Sequence, residues 1–343
     1  MLQKGNAIFD YTKFIMAIMV LAIHSALLPE LLYPWLRLAV PLFFIISSYF
    51  FFKKYRNAES RKERSAAIKR FIIRNMQLYA FWFIVMLIPT IGIRKWFSGG
   101  ILSGILSFLR DFFFSSTFVA SWYIMASVIA VIIIALLSGK IPNGLLLCGS
   151  FIIYLFCCAF SGYEFFFRNS LSLSSVMDGY IKIIAEPQMS FTVALFWVTL
   201  GKCFADGTFD AIFSNMTKKI TIVVFSAILL LGEWLMIRYF SGKMNYDCLI
   251  ALAFLSPALF AIIKDITLPV GKLSVFLRNA STIIYASHGT VTAVIDKVIF
   301  NYDLPYYAPY LKFFGVGALC LCASVAILYF EKFKIFKFLK YSH

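Results

Sequence analysis

The sequence predicts an all-α fold: a polytopic integral membrane helix bundle of about ten transmembrane helices, with both termini in the cytoplasm. Three observations predict it. Of the 343 residues, 62% are hydrophobic and only 14% charged, with a mean hydropathy of +0.86, whereas soluble domains carry about 25% charged residues. The apolar residues come in runs of about 20, the length that crosses hydrocarbon as a helix; a β-barrel would show short alternating segments. Lys and Arg collect at alternate ends of these runs, the asymmetry that sets orientation in a bilayer.

Taken in order, the runs predict helices near 8–29, 36–52, 71–93, 119–138, 142–160, 188–203, 220–240, 246–264, 281–299 and 307–330. No small-residue cleavage site follows the first run, Phe9 to Leu28, so it is read as a retained helix rather than a signal peptide. Nine cations lie together from the end of the second run to the start of the third: Lys53, Lys54, Arg56, Arg61, Lys62, Arg64, Lys69, Arg70 and Arg74. The tail adds Lys332, Lys334, Lys337 and Lys340. This placement assigns the net charge of +16 to topology and to contact with anionic lipid headgroups, and argues against a nucleic-acid partner. The seven cysteines mostly lie inside apolar runs without zinc spacing, so they are read as packing residues and no metal is expected. No linker, low-complexity tract or repeat divides the chain, which predicts one membrane domain over 1–343.

Two outer loops are long. The first, 94–120, contains Ile101 to Phe114, an apolar stretch broken by Gly104 and closed by Arg110 and Asp111. It is too short to span comfortably, which predicts a re-entrant or interfacial helix. The second, 161–187, carries Glu164, Arg168, Asp178, Lys182 and Glu186 and is expected to cover an external opening.

Ionisable residues inside a bilayer are costly, so each is a candidate for function. Lys13 and His24 lie on the first helix 11 residues apart, about three turns, so they share a face and sit roughly 16 Å apart in depth. The alternatives are a Lys13 that snorkels to the inner interface and a His24 that satisfies a buried hydrogen bond. Arg37 opens the second helix at a depth similar to His24, and Pro41 within that run is expected to break or kink it. On the late helix, Ser281, Tyr285, His288, Thr292 and Asp296 recur at spacings of three and four, a polar stripe that faces either a cavity or a partner helix. Glu233 needs a partner; Arg238, five residues on, is the nearest in sequence. His343 receives no role.

These segments resemble a known family. Lys13 ahead of His24, the run Arg37-Leu-Ala-Val-Pro41-Leu-Phe-Phe-Ile-Ile-Ser47, the basic Lys69-Arg70-Phe-Ile-Ile-Arg74, Ser121-Trp122-Tyr123-Ile124 and Ser281…Tyr285-Ala-Ser-His288 stand in the order found in the acyltransferase family 3 membrane proteins. Ser48 stands where that family's motif has Gly, and Ser121 where it has Leu, departures that bear on local packing. The resemblance implies an O-acyltransferase of the bacterial cell (inner) membrane. It would move an acyl group, acetyl in the first instance, from cytoplasmic acyl-CoA (acetyl-CoA) to a hydroxyl of a cell-surface glycan or glycolipid.

On that implication, Lys13, Lys69, Arg70 and Arg74 would hold the coenzyme phosphates at the cytoplasmic mouth. For the loop cations, topology alone is the competing explanation. His24 is the first choice for general base because its pKa lies near neutrality. Arg37 would hold the acceptor or offset the developing oxyanion. His288, expected nearer the cytoplasmic side, would position the thioester or assist proton transfer. Trp122, Tyr285 and Glu233 are further candidates. The second function the sequence allows is a membrane carrier or exporter of a small metabolite or glycan, although the inverted repeats common in carriers are not visible.

Overall fold

Long runs of Leu, Ile, Phe, Val and Ala without interior charge leave the backbone no partner in hydrocarbon but itself, and the outcome is helix throughout. The computed structural model of the chain describes residues 6–25, 30–87, 96–168, 170–242, 246–302 and 308–343. Among these residues there is no strand, only an isolated bridge between Ser138 and Ile141. The helices are α1 (Ile8–Ser25), α2 (Tyr33–Leu36), α3 (Ala39–Arg56), α4 (Arg61–Val85), α5 (Ile101–Phe114), α6 (Trp122–Leu137), α7 (Asn143–Ala159), α8 (Glu164–Arg168) and α9 (Leu171–Ile183), followed by α10 (Phe191–Asp206), α11 (Met216–Ser241), α12 (Leu252–Asp265), α13 (Lys272–Tyr302) and α14 (Ala308–Phe330). Each of the ten predicted helices has a counterpart. The ends of the first and third, 26–29 and 88–93, lie outside the described residues.

Five segments are long and apolar enough to cross a membrane: Ile8–Ser25, Glu30–Arg56, Ser172–Asp206, Met216–Ser241 and Pro309–Phe330. The two most apolar of them, which contain α11 and α14, are also the least buried, at 22% and 17%. Apolar side chains turned outward on the least packed helices require lipid, not water, as their surroundings. The chain is a multi-pass membrane protein.

The connections sort into two ends. At the basic end, Asn6 and Ala7 bond to the carbonyls of Ile266 and Leu268, Arg56 donates to the Ala205 carbonyl at 2.5 Å, and Asn143 bonds to Asp206 and Thr208. At the far end, Arg37 meets Asp247, and Tyr163 meets Glu233. The helix α4 starts ten residues before the predicted 71, because the Ser60 hydroxyl accepts from the Glu63 N–H and the Glu63 carboxylate accepts from the Glu59 N–H. Its first turns are a solvated basic helix, not a loop.

Two expectations are corrected. Pro41 breaks nothing: it lies in the first turn of α3, where backbone N–H groups have no helical partner to lose. The break falls earlier, between α2 and α3, around Arg37 and Leu38. The second is the start of α4, predicted at 71 and found at Arg61. The stretch Ile101 to Phe114 is a helix over its whole predicted length, continuous through Gly104. It runs antiparallel to the later turns of α4, with Phe83 edge-on to Phe108 (5.9 Å between centroids) and Tyr79 edge-on to Phe112 (4.9 Å). The loop 115–121 then turns inward, and α6 continues toward the basic end.

The centre of the bundle is α10, on which nearly every side chain is buried against α3, α6 and α7. Its closest approach is Gly201 on α3. A Cβ there would stand 2.0 Å from the Ser48 hydroxyl and 2.7 Å from the Ile45 carbonyl oxygen. Small residues let membrane helices approach, and here the glycine sits on α10 while Ser48 turns its hydroxyl back to the Phe44 carbonyl at 2.6 Å. The Ser48 departure from the family motif is thereby accommodated. Gly201→Ala is expected to lower stability by about 1–3 kcal/mol through overpacking. Thermal unfolding in detergent, with Gly144→Ala as the control in open space, measures it; equal melting temperatures for the two variants would show that the contact relaxes.

Candidate active site

α1 and α13 start side by side at the basic end and pack along one another. His24 stands sixteen residues into α1 and His288 sixteen into α13, so both reach the same depth, about 24 Å along their axes. Their rings meet with centroids 4.9 Å apart at 42°. The expectation that His288 lies nearer the cytoplasmic side is therefore corrected: α13 begins at Lys272, well before the predicted 281, and its early turns lie beside those of α1.

The two histidines differ in surroundings. His288 is 1% exposed, and its Nδ1 lies 2.7 Å from the Tyr285 carbonyl oxygen. A carbonyl only accepts, so the proton sits on Nδ1 and the lone pair on Nε2. That Nε2 is buried and has no hydrogen-bond partner among the described residues. His24 is exposed. The pair thus presents one accessible imidazole backed by one whose tautomer is fixed.

Arg37 caps α2 at the far end, and its Nη1 donates to Asp247 Oδ1 at 2.5 Å. Both charges lie within electrostatic reach of His24. The segment carrying Asp247 is itself fixed: the N–H groups of Asp247 and Cys248 donate to the Ser161 hydroxyl at 2.9 and 3.1 Å. Glu233 accepts from the Tyr163 hydroxyl at 2.7 Å and from the N–H groups of Ile250 and Ala251 at 2.6 and 2.7 Å. Free N–H groups before α12 thus take the Glu233 carboxylate, and Arg238 turns instead to Glu30 and the Trp234 ring. Glu233 is a clamp on the turn that holds Arg37's partner.

At the basic end a cavity of about 490 Å³ opens between α1, α3, α4, α6 and α13. Four cations line it: Lys13, Lys54, Arg70 and Arg74. Arg70 and Arg74 share a face of α4 at an i,i+4 spacing, and Lys13 forms no salt bridge among the described residues. Lys69, one position from Arg70, is exposed and does not line the cavity, as the 100° rotation per residue dictates. Lys54 takes its place from α3. It carried no separate signal among the loop cations, because only the packing of α3 on α4 aims it inward.

His343 also lines the cavity. The tail Lys334–Ser342 packs on α4, and the Trp82 indole donates to the Ser342 carbonyl at 2.9 Å. Burial lowers the His343 pKa below its ordinary value, with Arg74 and Arg278 adding to that and Glu331 opposing it; at neutral pH its imidazole is uncharged.

The remaining candidates separate. Ser281 and Tyr285 line the cavity, whereas Asp296 pairs with Lys312 at 2.6 Å and Thr292 bonds to the His288 carbonyl. Trp122 packs on Phe44 in the core, 6.1 Å between centroids, and does not line the cavity. Ser121 ties the inward loop, accepting from the N–H groups of Thr117 and Phe118, and Val119 of that loop fills the space over Gly289. The arrangement is a cation-lined cavity at one end, with a histidine pair and a fixed guanidinium toward the other.

Compared with known proteins, residues 6–329 match the family described as an acyltransferase domain. No curated protein and no solved structure matches.

Proposed function

Because the chain belongs to this acyltransferase family over nearly its whole length, we propose that it is a membrane O-acyltransferase that takes an acyl group, acetyl in the first instance, from acyl-CoA and places it on a hydroxyl of an envelope glycan or glycolipid. The observation that carries the proposal is the alignment of the cation-lined cavity with the His24–His288 pair across the thickness of the bundle. The basic end is the cytoplasmic one on this reading, with ten crossings of the bacterial inner membrane and both termini in the cytoplasm. Lys13, Lys54, Arg70 and Arg74 hold the donor's phosphates, for which fixed cations are the natural partners. The pantetheine arm covers the distance to the histidines. His24 takes the proton of the acceptor hydroxyl as its oxygen attacks the thioester carbonyl carbon. A C–O bond forms, the C–S bond breaks, and the imidazolium returns the proton to the departing thiolate. Arg37, held by Asp247, offsets charge on the carbonyl oxygen, and His288 orients the His24 ring.

Sidedness tests this reading. Labelled acetyl-CoA supplied to membrane vesicles should yield an alkali-labile ester on the glycan only when it reaches the face bearing the basic segment 53–70. A cysteine at position 62 should resist an impermeant reagent in intact cells while one at position 166 reacts. Labelling at 62 from outside, or ester formation from donor on the other face, defeats the assignment.

A further inference from the structure

The cavity ends before it reaches the histidines. Its inner wall is made by Phe43, Tyr123 and Tyr285, and neither His24 nor His288 lines it. The three rings close on one another: Phe43 to Tyr285 is 5.7 Å between centroids, Tyr123 to Tyr285 is 5.5 Å, and Phe43 to Tyr123 is 6.0 Å. Behind them, Tyr285 is 5.9 Å from the His288 ring. Both tyrosines are anchored at their hydroxyls, Tyr123 to Ser47 at 3.3 Å and Tyr285 to the Ala120 carbonyl at 3.4 Å. Phe43 has no polar atom to anchor and is 9% exposed. The three rings form a floor, and a thioester entering from the cations meets it before the histidines.

We propose that Phe43 is the specificity residue that limits the length of the acyl chain, with Tyr123 and Tyr285 as the fixed sides of the slot. This rests on the acyltransferase reading above. The physical argument is one of volume. A small acyl group fits against the rings with its carbonyl turned toward His24, while each further methylene must displace a close-packed aromatic. A methylene in an apolar slot is worth about 1–3 kcal/mol, or roughly 10–200-fold in kcat/KM. Phe43 is the ring whose removal leaves no hydroxyl unpaired, so its loss enlarges the slot without adding a buried polar defect.

The test compares acetyl-, butyryl- and hexanoyl-CoA as donors to one acceptor, with purified protein in nanodiscs. Wild type should prefer acetyl over butyryl by roughly 10-fold or more, and Phe43→Ala should raise the butyryl-to-acetyl ratio of kcat/KM by about 10-fold or more. Phe43→Leu, which keeps more of the packing, should move the ratio in the same direction and serves where the alanine variant fails to fold. A loss shared equally by all donors, with the ratio unchanged, overturns the assignment of Phe43 alone. So does a wild type that accepts hexanoyl as well as acetyl. No transfer from any donor by folded wild type overturns the acyltransferase reading and this inference with it.

Discussion

Replacing His24 by alanine is expected to cut acyl transfer by roughly a hundred-fold or more while leaving folding and donor binding nearly intact. The size follows from the work a general base does, since without it the acceptor hydroxyl must attack unassisted. The specificity of the effect follows from geometry. His24 is the accessible member of the histidine pair, and His288, 4.9 Å away ring to ring, is buried and already bonded to the Tyr285 carbonyl. His24→Gln separates the two roles open to the residue, because an amide keeps hydrogen bonding and cannot take up the proton. A glutamine variant with full transfer would make His24 structural and move the base to His288, whose Nε2 carries the free lone pair. If neither variant matters to transfer and both abolish movement of a solute, the carrier alternative takes over.

Helix existence was legible because lipid leaves the backbone one option, and a charge inside a 20-residue apolar run is hard to miss. Depth was less legible. The sequence places Lys13 and His24 correctly on one face of α1, since both lie on one helix. Relating His288 to them requires the start of α13, and the polar residues Arg278 and Asn279 hid the helical turns before 281. The same cause made the first turns of α4 read as loop: a basic amphipathic helix outside the bilayer looks like a cation run, although Ser60 and Glu63 marked its start. Partners across the bundle were not legible at all. Glu233 looked toward Arg238 because one sequence shows only local spacing, while the N–H groups before α12 and the Tyr163 hydroxyl come from tertiary packing. Arg37 needed Asp247, which is 210 residues away. Lys69 and Lys54 exchanged places in the cavity wall for the related reason that adjacent cations on a helix point about 100° apart.

Reversing both charges at Arg70 and Arg74, to glutamate, is expected to weaken acyl-CoA binding by at least about a hundred-fold. Hydrogen bonds to charged groups contribute about 1.5–3 kcal/mol each, and reversal adds repulsion to the loss. The two guanidiniums share one face of α4 and line the cavity with Lys13 and Lys54, so the remaining cations retain part of the attraction. The salt response then distinguishes binding from folding. Wild-type affinity should fall as ionic strength rises, because mobile ions screen the phosphate contacts. In the double variant the residual affinity should be flatter against salt, since fewer contacts remain to be screened. Lys69→Glu is the internal comparison: it removes a cation from the same helix turn that does not face the cavity, and should weaken binding far less. Titration calorimetry with acetyl-CoA over a series of salt concentrations reads all three. Equal losses at Lys69 and at the Arg70–Arg74 pair would mean that the basic end attracts the donor by its overall field and not through this cavity. Unchanged binding with transfer abolished would make both arginines structural members of α4.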